Sequence, residues 1–412
     1  MELSRLTIEI FSKLEQKWLS EWDNPKLSLT AFAGNRKTRI LTIDGAAGAR
    51  GLISGELLIH LEDQLCSAVG DPKARIPDFF DLIAGTGIGG VLAAMITASD
   101  CSSGRPLFSA HEAVEFLCSR HRRLFRPSGY LLRRRRGPKL SAGSFEVVLR
   151  EAFLHGGGRA LTLKDSCRPL LIPCYDLNTS APFVFSRADA AESASFDFDL
   201  WKVCRATTAT PGLFRPYALT SVDGMTACLA VDGGLVMNNP SAAAVTHVLL
   251  NKREFPAVAG VQDLLLLSLG SSFFPAPAPS WWHRRLKTGF SGLATVDIVL
   301  DGMSETVDHL LSNAFSWNRC DYVRISVNGC HMAKETMDGG VELDGLTRAG
   351  ARMLKEKSVE SFPFVGKRLL TETNGERIGA FARRLVAIGC PEVMTPSPSK
   401  GSVAVNELAD GR

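Results

Sequence analysis

The chain has 412 residues, 45% of them hydrophobic, so it can form one large or two ordinary domains around a substantial core and is not an intrinsically disordered protein. Its formal net charge of +4 is small for this length, which excludes strong attraction of the whole molecule to polyanions. The ten cysteines include no Cys-x-x-Cys pair, and no run approaches the roughly 18 apolar residues of a membrane span.

Residues 1–37 predict a helical N-terminal extension. Leu6, Ile10, Leu14 and Trp18 recur at four-residue steps, which is typical of an amphipathic helix, and an Asn-Pro pair ends the pattern. This helix either packs on the main domain or contacts a membrane or a partner. Acidic residues interrupt the stretch, so it lacks the basic-then-apolar build of a secretory signal. We therefore expect a cytoplasmic protein that is not secreted.

Strands then alternate with helices, and three glycine-rich turns each follow a predicted strand. Residues 44–51 read Asp-Gly-Ala-Ala-Gly-Ala-Arg-Gly after a strand at 39–43. Residues 85–90 read Gly-Thr-Gly-Ile-Gly-Gly after an apolar run at 79–83, and residues 232–234 read Asp-Gly-Gly after a short strand. The alternation predicts an α/β domain with a mainly parallel central sheet, and such turns gather at its carboxyl edge, where ligands bind.

The other elements complete this pattern. Apolar periodicity predicts helices over residues 52–68, 109–124, 144–154, 200–208 and 295–315, with one or two more between 347 and 388. A hairpin is predicted over 168–186, and buried strands over 263–269 and 322–327. Residues 386–412 become rich in serine, proline, lysine and glycine, which predicts a disordered tail.

One segment is strongly basic. Residues 120–139 contain eight arginines and one lysine with no acidic residue, namely Arg120, Arg122, Arg123, Arg126, Arg133, Arg134, Arg135, Arg136 and Lys139. A solvated surface is one interpretation. Because aromatic residues and leucines are interleaved, an anionic lipid surface is another, each cation near the headgroups contributing about 1 kcal/mol. Nuclear targeting or nucleic-acid binding is a third, but nothing else in the chain resembles a nucleic-acid module, so we expect no such partner.

The second turn has the pattern of a nucleophile elbow, a sharp strand-turn-helix bend that presents a reactive side chain above a sheet. An elbow for acyl transfer reads Gly-x-Ser-x-Gly, whereas this one has Gly87 at the serine position. Glycine has no atom that can attack a carbonyl, so the usual acyl-enzyme cannot form there. The adjacent Thr86 is no easy substitute, because a neighbouring residue in such a bend points elsewhere.

Taken in order, the three turns resemble those of the patatin-like phospholipase family. Its members carry an oxyanion-forming Asp-Gly-Gly-Gly-x-Arg-Gly turn, a Gly-x-Ser-x-Gly elbow and a catalytic Asp-Gly-Gly or Asp-Gly-Ala. The resemblance covers about residues 38–385, and the glycine elbow makes the chain most similar to the third subgroup of plant patatin-related phospholipases. It implies a three-layer α/β/α fold, hydrolysis of acyl esters in phospholipids and galactolipids by a Ser-Asp dyad, no metal or other cofactor, and a role in plant lipid metabolism or defence.

The resemblance also implies roles for individual residues. Asp232 matches the dyad acid that accepts the nucleophile's proton, and Gly87 matches the nucleophile position. The glycines that complete the elbow and dyad motifs are Gly85, Gly89, Gly233 and Gly234.

In the first turn, the main-chain N–H groups at Ala47 and Gly48 match the oxyanion hole, and Arg50 matches the motif's arginine. Alanine in place of glycine is a mild change there, because its N–H still donates when φ is negative.

Two functional hypotheses follow. The first is a non-specific lipid acyl hydrolase with weak or unconventional catalysis, in which water oriented by Asp232 attacks the ester. It would work at a membrane to which the protein attaches peripherally. The second is a catalytically inactive protein that keeps the pocket for lipid binding or regulation.

Overall fold

The structure is a computed structural model, and it describes residues 37–45, 51–99, 104–128, 140–155, 158–270, 292–326, 343–362 and 366–389. The predicted N-terminal helix lies outside these ranges, and so does the predicted disordered tail from residue 390 onward; residues 386–388, predicted as the start of that tail, are helical.

The helices of the described residues are α1 (Ile53–Val69), α2 (Gly87–Thr97), α3 (Ala110–Ser119), α4 (His121–Leu124), α5 (Ala142–Phe153), α6 (Arg187–Glu192), α7 (Leu200–Thr207), α8 (Gly234–Met237), α9 (Ser241–Leu250), α10 (Gly292–Ala314), α11 (Leu343–Lys355) and α12 (Asn374–Ile388). The strands are β1 (Thr38–Ile43), β2 (Leu82–Gly85), β3 (Leu154–His155), β4 (Arg159–Ala160), β5 (Leu170–Asp176), β6 (Ala181–Ser186), β7 (Tyr217–Thr220), β8 (Ala227–Asp232), β9 (Leu264–Leu269), β10 (Tyr322–Ile325), β11 (Lys357–Phe362) and β12 (Gly366–Thr373).

An eight-stranded sheet forms the centre of the molecule. Its strand order is β10-β9-β1-β2-β5-β8-β7, and β6 also pairs with β5. The strands from β10 to β5 are parallel, whereas β6, β7 and β8 pair antiparallel. The predicted α/β class with a mainly parallel sheet is confirmed, and so is the antiparallel hairpin, which is β5–β6.

Helices cover both faces of this sheet. In β1, Leu41 and Ile43 belong to one apolar cluster, which also contains the buried sides of α1, α2, α5 and α12. Ile40, one residue before Leu41, belongs to a second cluster built with α9 and the end of α10. Because successive strand side chains point to opposite faces, the two clusters are the two sides of the sheet. This is the three-layer α/β/α arrangement.

Strand β5 brings the ends of two other strands together. Leu171 pairs with Ala84 of β2 and with Ser186 of β6, so β2 and β6 occupy opposite edges of β5. Cys174 pairs with Asp232 of β8 and also with β6, so β8 lies on the same edge as β2. Since β2 and β8 run in opposite directions, their carboxyl ends meet on that edge near Pro173.

Some elements were not predicted. Between α11 and α12, where the sequence pattern indicated only helices, β11 and β12 form an antiparallel hairpin. Charged and polar residues fill most positions of both strands, and within the described residues the hairpin pairs only with itself, so it lacks the apolar run of a central strand. The edge strand β7 was missed for a related reason, because two of its four residues are exposed.

Candidate active site

The elbow has the geometry that its sequence predicts. Strand β2 ends at Gly85, Thr86 is extended, and Gly87 begins α2 with a φ of +55°. This is the left-handed region, which an L side chain adopts only at a cost. The Gly87 N–H donates to Thr207 Oγ1 at 3.0 Å. The structure therefore presents a sharp bend at the nucleophile position without a side chain on it.

The glycines on either side of Gly87 are required by close backbone approach. A Cβ added at Gly85 would collide with the carbonyl oxygen of Gly89. A Cβ added at Gly89 would lie 2.5 Å from the carbonyl oxygen of Asp44. Real Cβ atoms do not come this close to backbone, so Gly85 and Gly89 hold the elbow against the first turn.

Asp232, the last residue of β8, is buried beside the elbow. Its Oδ1 accepts the N–H of Gly234 at 2.8 Å, and its Oδ2 accepts the hydroxyl of Thr210. Burial raises the pKa of this carboxyl above its ordinary value, and the two hydrogen bonds partly offset that effect. A carboxylate with a raised pKa is a better proton acceptor than an exposed one.

Thr207, at the end of α7, links the elbow to the dyad turn. Its fully buried hydroxyl donates to the Pro173 carbonyl oxygen at 2.7 Å while accepting the Gly87 N–H. A Cβ at Gly233 would collide with the same Pro173 oxygen and lie 3.1 Å from Thr207 Oγ1. Thr207 and Gly233 therefore pack into the space where β2 and β8 meet.

The start of the first turn contacts the elbow and the residues that follow the third turn. The Gly45 N–H donates to the Asn238 carbonyl oxygen at 3.1 Å, and a Cβ at Gly45 would lie 3.1 Å from Thr86 Cγ2. Thr86 is fully buried, and its hydroxyl donates to the Met237 carbonyl oxygen at 2.8 Å. The structure thus brings the first turn into contact with the elbow and with residues 237–238, just after the third turn.

A buried ion pair supports the first turn. The Asp44 carboxylate accepts from both terminal nitrogens of Arg324, at 3.2 Å and 2.5 Å, and from the Ser304 hydroxyl at 3.4 Å. Burial raises the pKa of Asp44, and Arg324 opposes this. Burial alone would lower the pKa of Arg324, but the charge of Asp44 and its hydrogen bonds raise it above the ordinary value.

Several predicted site residues lie outside the described residues. They are Ala47, Gly48 and Arg50 of the first turn, together with Arg133, Arg134, Arg135, Arg136 and Lys139 of the basic segment. The rest of that segment is described. Arg122 and Arg126 are exposed, whereas Arg120 and Arg123 form ion pairs with Glu151 at 3.0 Å and 2.9 Å.

Sequence reasoning missed Thr207, Thr210 and Arg324. The threonines stand in the run Thr-Thr-Ala-Thr-Pro-Gly, residues 207–212, which was interpreted only as the end of a helix. For Arg324 a signal was present, because it is the one charged residue in the otherwise apolar strand β10. A charged side chain in a buried strand indicates that a side chain of opposite charge lies next to it.

Within the described ranges there is neither a membrane-spanning helix nor a metal-binding cluster. None of the helices there is both long and apolar enough to cross a membrane. No group of three or more histidine, cysteine, aspartate or glutamate side chains in those ranges is arranged to hold a metal ion.

The chain is similar to known proteins. A family model described as patatin-like phospholipase matches residues 41–245. The chain is 54% identical over 417 residues to "Probable inactive patatin-like protein 9" of Arabidopsis thaliana, covering 100% of both chains. It is 42% identical over 404 residues to "Patatin-like protein 7" of the same plant, covering 94% of this chain and 81% of the other. Among solved structures, VipD from Legionella pneumophila matches with a TM-score of 0.32 and 9% identity, over 85% of this chain and 67% of that one, a likeness that supports no argument here.

Proposed function

Because the chain belongs to the patatin-like phospholipase family, we propose that it is a lipid acyl hydrolase that cleaves fatty acyl esters of membrane phospholipids and galactolipids. The observation that supports this most is Asp232. Its carboxylate is buried at the elbow, held by Gly234 and Thr210, and has a raised pKa. A protein that had lost all chemistry would have no need to keep a buried carboxylate there, since burying an acid is costly.

Catalysis at this site must be unconventional. Gly87 supplies no nucleophile, so the attack on the ester has to come from water or from a hydroxyl within reach of Asp232. Asp232 acts as the general base for that attack. We further propose that the N–H groups at Ala47 and Gly48, beside Arg50, stabilise the oxyanion. In serine proteases stripped of their triad, binding and the oxyanion hole alone retain about 10³ to 10⁴ over water, so we expect a slow enzyme.

The second candidate function is an inactive lipid-binding or regulatory protein. It is favoured by Gly87 itself and by the name of the relative that is 54% identical, "Probable inactive patatin-like protein 9". In this case the elbow persists without chemistry, and Asp232 serves only to hold its turn together.

Fatty acid release from mixed phospholipid and galactolipid vesicles by the pure protein decides between the two. Wild type is compared with Asp232→Asn and with Gly87→Ser. Hydrolysis by wild type that Asp232→Asn abolishes supports the enzyme. Equal background release by wild type and Asp232→Asn rejects the enzyme. Hydrolysis by Gly87→Ser would then show that the protein lacks only its nucleophile.

We also propose that the protein works in the cytoplasm, attached peripherally to anionic membranes through its basic segment, in plant lipid metabolism or defence. Arg122 and Arg126 are exposed in the described part of that segment, which suits contact with headgroups. Replacing Arg133 to Arg136 with glutamine should weaken binding to vesicles that contain phosphatidylserine, and the loss should be larger at low salt. Unchanged binding would reject the membrane contact.

A further inference from the structure

We infer that Thr210 supplies the nucleophilic hydroxyl that the elbow lacks, so that Thr210 and Asp232 form the dyad of this protein. This rests on the proposed function, because it names the atom that attacks the ester in the hydrolysis proposed above.

Three threonine hydroxyls lie at the elbow or beside Asp232, and their hydrogen bonds distinguish them. Thr86 Oγ1 donates its proton to the Met237 carbonyl oxygen, and Thr207 Oγ1 donates to the Pro173 carbonyl oxygen. A main-chain carbonyl oxygen is too weak a base to take a hydroxyl proton. Of the three, Thr210 alone donates to a carboxylate, the Oδ2 of Asp232. This is the contact that activates a hydroxyl nucleophile next to a general base.

Accessibility points to the same residue. Thr86 and Thr207 are fully buried, so no ester can approach their hydroxyls without rearrangement. Thr210 is only half-buried, and the two residues that follow it, Pro211 and Gly212, are exposed. Of the three threonines, Thr210 is therefore the one that lies nearest the solvent, while Asp232 contacts its hydroxyl.

The backbone holds Thr210 against Asp232. The Asp232 N–H donates to the Ala209 carbonyl oxygen at 3.2 Å, which fixes the residue before Thr210. The N–H groups of Leu213 and Phe214 donate to the Thr210 carbonyl oxygen at 3.0 Å and 2.9 Å. Thr210 thus lies in a closed turn that is bonded on both sides, as a preorganised nucleophile requires.

The reaction needs no further reagent. Thr210 Oγ1 forms a bond to the ester carbonyl carbon while its proton passes to Asp232 Oδ2. The tetrahedral intermediate then breaks its bond to the alcohol oxygen, which takes that proton and leaves as the lysolipid. Water next gives a proton to Asp232 and attacks the acyl carbon, and the fatty acid departs as Thr210 Oγ1 recovers the proton.

Chemical trapping tests this on the unmodified full-length protein. A long-chain alkyl fluorophosphonate reacts with an activated hydroxyl by forming an O–P bond and losing fluoride. After incubation, the protein is digested and the adduct is mapped by mass spectrometry. We expect one adduct, on Thr210, that is absent in Asp232→Asn. An adduct on any other residue, or no adduct on a wild-type protein that releases fatty acid, overturns the inference.

Hydrolysis by variants gives an independent readout. Thr210→Val should reduce fatty acid release to the level of Asp232→Asn, whereas Thr210→Ser, which keeps a hydroxyl, should retain release. The matched control is Thr208→Val, since the Thr208 hydroxyl donates to the Cys204 carbonyl oxygen, away from Asp232. Thermal unfolding of each variant separates loss of folding from loss of chemistry.

The outcomes distinguish the two proposals. If Thr210→Val hydrolyses as fast as wild type while Asp232→Asn does not, water is the nucleophile, and the inference fails while the proposed function stands. If wild type and Asp232→Asn release the same background amount, the proposed function fails and the Thr210 dyad fails with it.

Discussion

Replacing Arg324 with methionine should strongly destabilise the protein, because it leaves the Asp44 carboxylate buried without its counter-charge. Asp44 is 1% exposed, and the Arg324 guanidinium donates two hydrogen bonds to it. Breaking a buried pair by removing one partner costs about 3–5 kcal/mol, out of a total stability of about 5–15 kcal/mol. For a chain of this length, such a loss lowers Tm by about 3–6 °C.

The assay is urea unfolding, with Arg123→Met as the matched control. Arg123 also pairs with a carboxylate, that of Glu151, at 2.9 Å. However, the Arg123 side chain is 51% exposed and that of Glu151 is 35% exposed. An exposed pair contributes only about 0–1 kcal/mol, so the control should be nearly as stable as wild type.

The pH dependence of the deficit identifies its cause. Burial raises the pKa of Asp44, and loss of Arg324 removes the interaction that opposes this. In the variant the pKa of Asp44 is higher in the folded protein than in the unfolded chain, so the folded protein binds this proton more tightly. Its stability therefore rises as pH falls through that pKa, and the stability deficit relative to wild type should be largest at neutral pH and shrink in acid. Adding Asp44→Asn should recover part of the loss at pH 7. A deficit no larger than that of Arg123→Met, or one independent of pH, would refute the reasoning.

Three further predictions concern the elbow and the dyad. Gly87→Ser should lower the free energy of unfolding by about 1–2 kcal/mol in urea titrations, because φ is +55° there, and an unchanged midpoint would contradict the left-handed conformation. Gly233→Ala should lower the free energy of unfolding by about 3 kcal/mol, because its Cβ collides with the Pro173 carbonyl oxygen. Gly302 lies exposed within α10 with open space around it, so Gly302→Ala should raise the free energy of unfolding by about 0.5–1 kcal/mol. Equal effects of the two glycine substitutions would show that Gly233 is not closely packed. Hydrolysis should decline in acid with an apparent pKa above that of an ordinary aspartate, because Asp232 must be deprotonated to act as a base and burial raises its pKa; a decline at the ordinary value would argue against Asp232.

The sequence predicts the fold better than the site. Strand, glycine turn and helix recur at local spacing, so β1, β2 and β8 and their turns were predictable from periodicity and turn chemistry alone. The β11–β12 hairpin was not, because charged and polar residues fill most of its positions and, within the described residues, its strands pair only with each other.

The contacts that complete the site are long-range. Arg324 meets Asp44 across 280 positions, and Thr210 meets Asp232 only because the chain returns after α7. Local patterns carry no information about which distant side chain fills a buried partner's hydrogen bonds. The glycine motifs could therefore predict that the elbow and Asp232 lie at one edge of the sheet, but not that a threonine hydroxyl donates to Asp232.

Because β2 and β8 meet on one edge of β5, the distance between the elbow and Asp232 is set by β5. Ala84 is registered on Leu171 and Asp232 on Cys174, so two residues of β5 lie between them. One residue inserted there would move the acid away from the elbow by about 3.3 Å, with every motif residue unchanged. The spacing between the elbow and Asp232 therefore depends on β5 and not on which residue stands at position 87.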